Sequence, residues 1–323
     1  MERNVGILII CSDNTIPNET GANHFDIAPG ISIDFVRDIS EFLAPFAREE
    51  WKARLGTKGW EQHIDPIWCS QKWVVTIEQS GEVHALSAED YWTALKLTVP
   101  FNCHLNAYFL YGAIEDGVFR PRDSWKEENW FDTVYDVNNI PPLTRAIFDR
   151  WVDFATKLHP LHRGKEACAR SDRFTTGLDL FCRGLQEHDI RHRLNCFIPA
   201  LEALICSPEG RQKEYFFSRI KCFWPHDQPK ILPPKQLTEI IDRIFLLKNK
   251  LDHLKEIGNG DTIWTAYWWI VFQAEQLARS AYSVVLSSPE HYACFTDFQR
   301  QQAFWASRDT GRILFQTSAS QAT

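Results

Sequence analysis

The chain has 323 residues, of which 44% are hydrophobic and 13% aromatic. It is therefore long enough for two domains and apolar enough to bury a sizeable core, which excludes a disordered protein. A net charge of −7 argues against a protein that binds nucleic acid through its overall charge. Nine cysteines without any CxxC pair exclude a disulfide framework and suit a reducing compartment.

Charge is divided unevenly along the chain. Residues 1–142 carry 11 lysines and arginines against 22 acidic residues, whereas residues 143–323 carry 24 against 20. This asymmetry predicts two parts with different partners. We expect an acidic mixed α/β domain over 1–142, whose ligand or protein partner is unknown, and an all-α domain over 143–323. The expected fold class is α+β.

Membrane insertion is not expected. The N-terminal Met1-Glu-Arg-Asn lacks the basic region of a signal peptide. The longest aromatic-apolar run, residues 263–272, is about half the roughly 20 residues that a spanning helix needs. We therefore expect a cytoplasmic protein that does not contact membranes.

Apolar periodicity predicts the elements of the first part in chain order. We expect a strand at 5–11, a helix at 34–55, a hairpin over 72–86, a short helix after residue 87 and a strand within 97–111. The segment 114–142 is rich in Asp, Glu, Asn and Pro, which predicts a connector between the two domains.

The second part has helical periodicity throughout. A first helix is expected to begin at Pro141-Pro142, since proline is accepted in the first turn. Further helices are expected within 173–185, 194–205, 214–223, 235–257, 262–286 and 289–306. Pro199 lies inside the helix 194–205 and is expected to bend it.

Lys248, Asn249 and His253 lie within the predicted helix 235–257, opposite its apolar residues. A ribonuclease that works without metal needs a base for the 2′-hydroxyl proton, and cationic and hydrogen-bonding groups for the phosphorane oxygens. An imidazole, an ammonium and an amide meet these needs. The spacing of Lys248 and Asp252 is equally typical of an ordinary ion pair on a solvated helix surface.

Two further groups of residues are candidate binding sites. Two pairs of histidines fall at helical spacing: His159 and His162, and His188 and His192. Neither pair has a well-placed carboxylate or cysteine companion, so we expect no metal site and no cofactor. A basic cluster, Arg183, Arg191, His192 and Arg193, has the charge to bind RNA phosphates, with Arg191, His192 and Arg193 as the expected RNA-binding residues. It is equally typical of a solvated helix end.

Glu202 is flanked by apolar residues, and a carboxylate in such surroundings needs a partner. Arg219 and Lys248 are the candidate partners, and we expect one of them to form a structural ion pair with Glu202. Glu202 and Arg219 are thus expected to support the site. The aromatic residues within 264–272 are more typical of a core or a dimer interface than of a surface that stacks bases.

The order of these helices resembles the HEPN superfamily, in particular its Apea-like branch, over about residues 166–290. Three stretches carry the resemblance: Arg173-Phe-Thr-Thr-Gly-Leu-Asp-Leu-Phe181, Leu194-Asn-Cys-Phe-Ile-Pro-Ala-Leu-Glu-Ala-Leu-Ile205 and Ile244-Phe-Leu-Leu-Lys-Asn-Lys-Leu-Asp-His253. They resemble the opening helix, the second helix with its Ala-Leu-Glu-Ala-Leu core, and the helix with the family's Arg-x4–6-His motif. Residues 1–142 resemble no family that we can name.

The resemblance implies a helical bundle that forms a homodimer and acts as a metal-independent endoribonuclease. Carried over by position, His253 is the catalytic histidine and Asn249 the polar residue that follows the motif arginine. Lys248 stands where that arginine belongs. The chain departs from the family there, because lysine lacks the planar fork that grips a phosphate at two points. Leu254 also replaces the glycine often found after the histidine.

Three functions follow as hypotheses. The first is a HEPN-type endoribonuclease in antiviral defence or stress, leaving 2′,3′-cyclic phosphate ends, with the acidic domain as sensor or regulator. The second is a catalytically degenerate HEPN module that dimerises and binds RNA or a protein partner; the two departures from the motif favour it. The third is an N-terminal enzyme with a helical accessory domain, which requires a pocket of perturbed acidic groups within 1–142.

Overall fold

A computed structural model describes most of the chain. The described residues are 3–12, 21–36, 53, 72–79, 88–98, 105–115, 118–129, 144–167, 173–206, 212–223, 234–252 and 261–320. The chain forms two compact units, Met1–Pro160 with Leu185–His188, and Leu161–Gly184 with Asp189–Thr323. The first unit thus takes in residues beyond 142, and the domain boundary expected at that residue stays a prediction.

Within the described residues, the first unit contains a six-stranded antiparallel sheet. Its strands are β1 (Arg3–Ser12), β2 (His24–Ala28), β3 (Ile31–Val36), β4 (Lys72–Gln79), β5 (Leu105–Glu115) and β6 (Val118–Asn129). The order is β2-β3-β4-β1-β5-β6. From Ile7 to Ile10 the side chains of β1 are at most 2% exposed. Both faces of β1 are therefore covered, which explains its unbroken apolar run.

Strand β4 does not form the hairpin expected over 72–86. It pairs with β1 on one edge and, from Lys72 to Ile77, with β3 on the other. Both edges of β4 are thus occupied over 72–77, while residues 82–86 lie outside the described part of the chain. Strand β3 likewise replaces the first residues of the helix expected at 34–55, because Asp34 and Val36 pair with β4.

The segment 114–142 is not simply a connector, because it contains β6. Glu115 of β5 pairs with Val118 of β6, so Asp116-Gly117 alone joins the two strands. An Asp-Gly dipeptide between strands is a strong hairpin signal, and the connector prediction overlooked it. Strand β6 is at the edge of the sheet, where Pro121 is tolerated because edge positions can lack a donor.

Two helices complete the described part of the first unit. Helix α1 (Ala88–Thr98) packs on β1 and β4, which confirms the short helix but moves residues 97–98 out of the expected strand 97–111. Helix α2 (Arg145–Ala167) begins later than Pro141-Pro142. The indole Nε1 of Trp151 donates a hydrogen bond to the Tyr91 carbonyl at 2.7 Å, which anchors α2 on α1.

The remaining helices belong mainly to the second unit. They are α3 (Arg173–Gln186), α4 (Ile190–Ile205), α5 (Gln212–Ile220), α6 (Pro234–Asp252), α7 (Asp261–Ser287), α8 (Pro289–Phe295) and α9 (Phe298–Ser320), with a 3-10 turn at Lys221–Phe223. The single helix expected over 289–306 is two helices, because the Asp297 carboxylate accepts the Arg300 N–H at 3.0 Å and starts α9. The α+β fold class is confirmed.

Helix α4 lies in the core of the second unit, against α3 and α7. Gly177 of α3 allows this close packing, because a Cβ at that position would lie 2.1 Å from Tyr282 Oη and 2.5 Å from the Ala203 Cβ. The Tyr282 hydroxyl donates a hydrogen bond to the Ala200 carbonyl at 2.8 Å. The glycine and the tyrosine thus fix the crossing of three helices.

The C-terminal end of α4 is capped by side chains from other helices. Gln301 Nε2 donates to the carbonyls of Ala203 and Leu204 at 2.8 and 2.9 Å, and Trp305 Nε1 donates to Leu204 at 2.9 Å. Arg219 Nη1 donates to the next two carbonyls, of residues 205 and 206. These bonds provide the donors that a helix end lacks.

We predict that Gly177→Ala destabilises the protein by about 1–3 kcal/mol, because the added methyl group overpacks the crossing of α3, α4 and α7. Urea unfolding followed by circular dichroism measures the change. The control is Thr176→Ala, which alters an exposed neighbour on the same helix and should change stability by less than about 0.5 kcal/mol. A Gly177→Ala protein as stable as wild type would contradict the close packing.

Candidate functional site

Helix α6 carries two of the three residues proposed for catalysis. Leu237, Ile240, Ile241, Ile244 and Leu247 are buried, as their spacing predicted. Lys248 follows this stripe and is half-buried, whereas Asn249 is exposed. His253 lies just beyond the last described residue of α6, so its position relative to Lys248 stays a prediction.

Glu202 of α4 lies within electrostatic range of the Lys248 ammonium, although no ion pair joins these two described residues. The side chain is half-buried, and its Oε1 is buried and accepts no hydrogen bond from the residues that the structure describes. Burial raises the pKa of the Glu202 carboxyl group, and the nearby Lys248 ammonium partly offsets this increase. Of the two partners expected for Glu202, the structure therefore brings Lys248 into electrostatic range.

Arg219 supports the helix end rather than Glu202. Its guanidinium group donates to the Cys206 carbonyl at 2.7 Å and to Asp309 Oδ2 at 2.5 Å. The group also lies 4.9 Å from the centre of the Trp305 ring. A cation at the C-terminal end of α4 is favoured by the helix dipole, so Arg219 has a supporting role, with bonds that the sequence did not predict.

Arg193 does not belong to the RNA-binding surface expected at 191–193. It is 1% exposed, and its Nη2 forms an ion pair with Glu275 Oε2 at 2.9 Å. The other oxygen of Glu275 binds Arg279 Nη2 at 2.6 Å. A guanidinium group enclosed in this way does not reach a phosphate, so Arg193 is a core residue. The rings of Phe197 and Trp268 also lie 5.7 Å from it.

Arg191 and His192 remain at the surface. Both side chains are exposed, and their backbone N–H groups donate to the Asp189 carboxylate at 2.8 and 3.3 Å. Asp189 is thus the N-cap of α4. Its charge lies beside the basic pair and weakens the local positive potential, so the remaining cluster is smaller and less basic than the sequence predicted.

The aromatic residues of α7 are partly in the core. Phe272 is buried, whereas Trp268 and Trp269 are half-buried. The rings of Trp269 and Phe272 stack at 5.5 Å with an interplanar angle of 25°. These contacts agree better with the core or interface reading than with an exposed base-stacking surface.

One histidine–aspartate pair in the first unit was not predicted from the sequence. His159 Nδ1 lies 2.8 Å from Asp90 Oδ2, a fully buried carboxylate at the start of α1. The pair joins residues 69 positions apart, so no local spacing marks it. A buried carboxylate can orient an imidazole for general acid–base chemistry.

Comparisons with protein-family models, with curated proteins and with solved structures found no match. Among the described helices, none is both long and apolar enough to cross a membrane.

We predict that Glu202→Gln raises the thermal midpoint near neutral pH and has little effect at about pH 4. Because burial raises the folded-state pKa of Glu202 above its ordinary value of 4.5, the carboxyl group stabilises the fold below that value. This contribution is lost as the pH rises through the folded pKa. Glutamine has nearly the shape of the protonated carboxyl group and stays neutral over the whole pH range. Differential scanning fluorimetry across this pH range measures the effect.

The matched control is Glu239→Gln, which alters an exposed carboxylate of α6 that is paired with Arg243. This variant should not raise the midpoint at neutral pH. If Glu202→Gln instead lowers the midpoint there, the attraction to Lys248 outweighs the cost of burial, and the proposed balance is wrong.

We predict that Glu275→Gln destabilises the protein by about 3–5 kcal/mol, because it removes the carboxylate that two buried guanidinium groups share. Guanidinium chloride unfolding measures the loss. Arg191→Gln at the exposed start of α4 is the control and should cost less than about 0.5 kcal/mol. Similar small losses in both variants would show that Arg193 is solvated and would return it to the surface cluster.

Proposed function

We propose that the protein is a HEPN-type, metal-independent endoribonuclease that acts in antiviral defence or stress. Its second unit pairs with a second copy to form the active cleft. The acidic first unit serves as a sensor or regulator. The homodimer is part of the proposal.

The proposal is supported most by the proximity of Lys248 to Glu202, whose carboxyl group lies within range of the lysine charge. These residues come from α4 and α6, two of the three helices that resemble the family, and the two helices pack against each other. Lys248 is half-buried beside a carboxyl group whose pKa is raised by burial, whereas Asn249 is exposed. A cation close to a carboxyl group in partly buried surroundings is typical of functional sites.

The proposed reaction needs no group from outside the protein and its RNA. The His253 imidazole takes the proton of a ribose 2′-hydroxyl, whose oxygen attacks the adjacent phosphorus. The phosphorus–5′-oxygen bond breaks, and the products are a 2′,3′-cyclic phosphate and a 5′-hydroxyl end, which takes up a proton. Lys248 and Asn249 stabilise the charge on the phosphorane oxygens. Glu202 positions the Lys248 ammonium through their opposite charges.

A second candidate function is a degenerate HEPN module that dimerises and binds RNA or a protein partner. The observation that favours it is the same proximity of the Lys248 ammonium to the Glu202 carboxyl group. A lysine that interacts with Glu202 and lacks the guanidinium fork holds a phosphate less firmly than arginine does. The two candidates differ in whether RNA is cut.

We predict that the purified protein cuts single-stranded RNA in the presence of EDTA and that His253→Ala lowers the rate by about 10²–10⁴-fold, because a general base is lost. Denaturing gels measure the rate, and end analysis detects the 2′,3′-cyclic phosphate. His188→Ala, at an exposed histidine, is the control and should retain activity. Lys248→Arg should raise the rate by restoring bidentate phosphate contact.

Equal cleavage by wild type and His253→Ala would identify a contaminating nuclease and end the enzyme proposal. Absence of cleavage in both proteins, with RNA binding and a dimer in analytical ultracentrifugation, would select the degenerate module instead.

A further inference from the structure

Two surface arginines of the second unit are held in the same unusual way. Arg173 Nη1 donates to the Cys206 thiol at 3.2 Å, and its guanidinium group lies 5.0 Å from the centre of the Phe298 ring. Arg308 Nη1 donates to the Cys222 thiol at 3.3 Å, and its guanidinium group lies 4.5 Å from the Phe304 ring centre. Each arginine is thus placed by a sulfur atom and an aromatic ring.

These two charges are not neutralised by carboxylates among the described residues. Two other exposed arginines differ: Arg145 pairs with Asp149 at 2.9 Å, and Arg243 pairs with Glu239 at 2.5 Å. A neutral thiol is a weak acceptor and carries no countercharge. Burial raises the pKa of the Cys206 thiol, which keeps the thiol neutral at neutral pH and leaves the full positive charge on Arg173.

A chain of bonds connects the two arginines. The Cys206 carbonyl accepts a hydrogen bond from Arg219, and Arg219 forms an ion pair with Asp309, the residue after Arg308. Asp309 is neutralised by this pair and does not cancel the charges of its neighbours. Phe298, at the start of α9, is 40% exposed and adds an open aromatic face. We call these residues, Arg173, Phe298, Phe304 and Arg308, the arginine–phenylalanine surface.

This surface begins one helical turn from the candidate active site. The Cys206 N–H donates to the Glu202 carbonyl at 2.9 Å. The two residues therefore lie about 6 Å apart along the helix axis. Phe298 and Arg308 are ten residues apart, which is about 15 Å along α9, and their side chains point about 80° apart around the helix.

We propose that the arginine–phenylalanine surface binds the single-stranded RNA substrate, with both guanidinium groups on phosphates and the open ring of Phe298 stacked on a base. This inference rests on the proposed ribonuclease function and adds to it a substrate-binding surface next to Glu202 and Lys248. Single strands suit the surface because their bases are free to stack on aromatic rings, while their backbone needs cations at intervals. The guanidinium groups keep several unused donors for phosphate oxygens.

The test measures binding separately from cleavage. The probe is a fluorescent 2′-O-methyl oligonucleotide of mixed sequence, which lacks the attacking 2′-hydroxyl, and anisotropy gives Kd over a range of salt concentrations. We expect Arg173→Gln/Arg308→Gln to weaken binding by at least about tenfold. The slope of log Kd against log salt should fall by about 1.4, since each lost phosphate contact removes about 0.7 for single strands. Phe298→Ala should weaken binding by about fivefold or more and leave the slope unchanged.

The matched control is Arg145→Gln/Arg243→Gln, which removes the same charge from two carboxylate-paired arginines and should leave Kd within about twofold. Arg173→Lys/Arg308→Lys keeps the charge and should retain the wild-type salt slope. Circular dichroism and thermal midpoints must show that each variant is folded. Equal Kd values and slopes for the Arg173/Arg308 and Arg145/Arg243 variants would overturn the inference. Loss of binding to poly-glutamate, with RNA binding unchanged, would instead assign the surface to an acidic protein.

The outcome is distinguishable from that of the proposed function. Cleavage with unchanged RNA binding in the Arg173/Arg308 variant would retain the ribonuclease and remove this surface. RNA binding that depends on the surface, without cleavage by wild type, would retain the surface and remove the ribonuclease.

Discussion

The second unit depends on how the C-terminal end of α4 is satisfied. The last carbonyl groups of a helix lack intrahelical donors, and water is not available to a buried end. Gln301 and Trp305 donate to this end from α9, and Arg219 donates from α5. Because a hydrogen bond forms only over a short distance, these donors fix the positions of α5 and α9 on α4. The cap replaces the glycine that often ends a helix; Cys206 adopts the left-handed conformation there, with φ 51°.

The two functional proposals depend on the same helix end. Glu202 and Cys206 lie one turn apart on α4, and each faces a cation from another helix. Glu202 lies within electrostatic range of Lys248 of α6, where the reaction is proposed. The Cys206 thiol accepts a hydrogen bond from Arg173 of α3, beside the partly exposed ring of Phe298. A shift of this end would move the carboxyl group and the thiol together. The cap thus couples the proposed site of chemistry to the proposed RNA-binding surface.

Prediction from sequence was most successful where a local pattern repeats. The apolar stripe of α6 predicted which residues are buried and which side of the helix Asn249 occupies, whereas Lys248, four residues after Ile244, lies along the stripe and is half-buried. Neighbouring residues of a helix point about 100° apart, however, so a run of basic residues is not a surface. Arg193 lies between an exposed histidine and the core, and its countercharge, Glu275, is 82 residues away. No spacing within 191–193 indicates that distant carboxylate.

By itself the sequence determined most helices of the second unit, apart from the break between α8 and α9, and the central strand β1. Apolar residues at spacings of three and four, or in an unbroken run, need no distant information. The candidate residues of α6 follow from the same pattern. Only the tertiary structure decided that β4 pairs on both edges, that Arg193 is buried and that Lys248 lies within electrostatic range of Glu202. It also decided that Arg173 and Arg308 bind thiols and no carboxylate of the described residues. Such contacts join residues far apart in the chain, and they depend on which surfaces pack together rather than on the periodicity of any one segment.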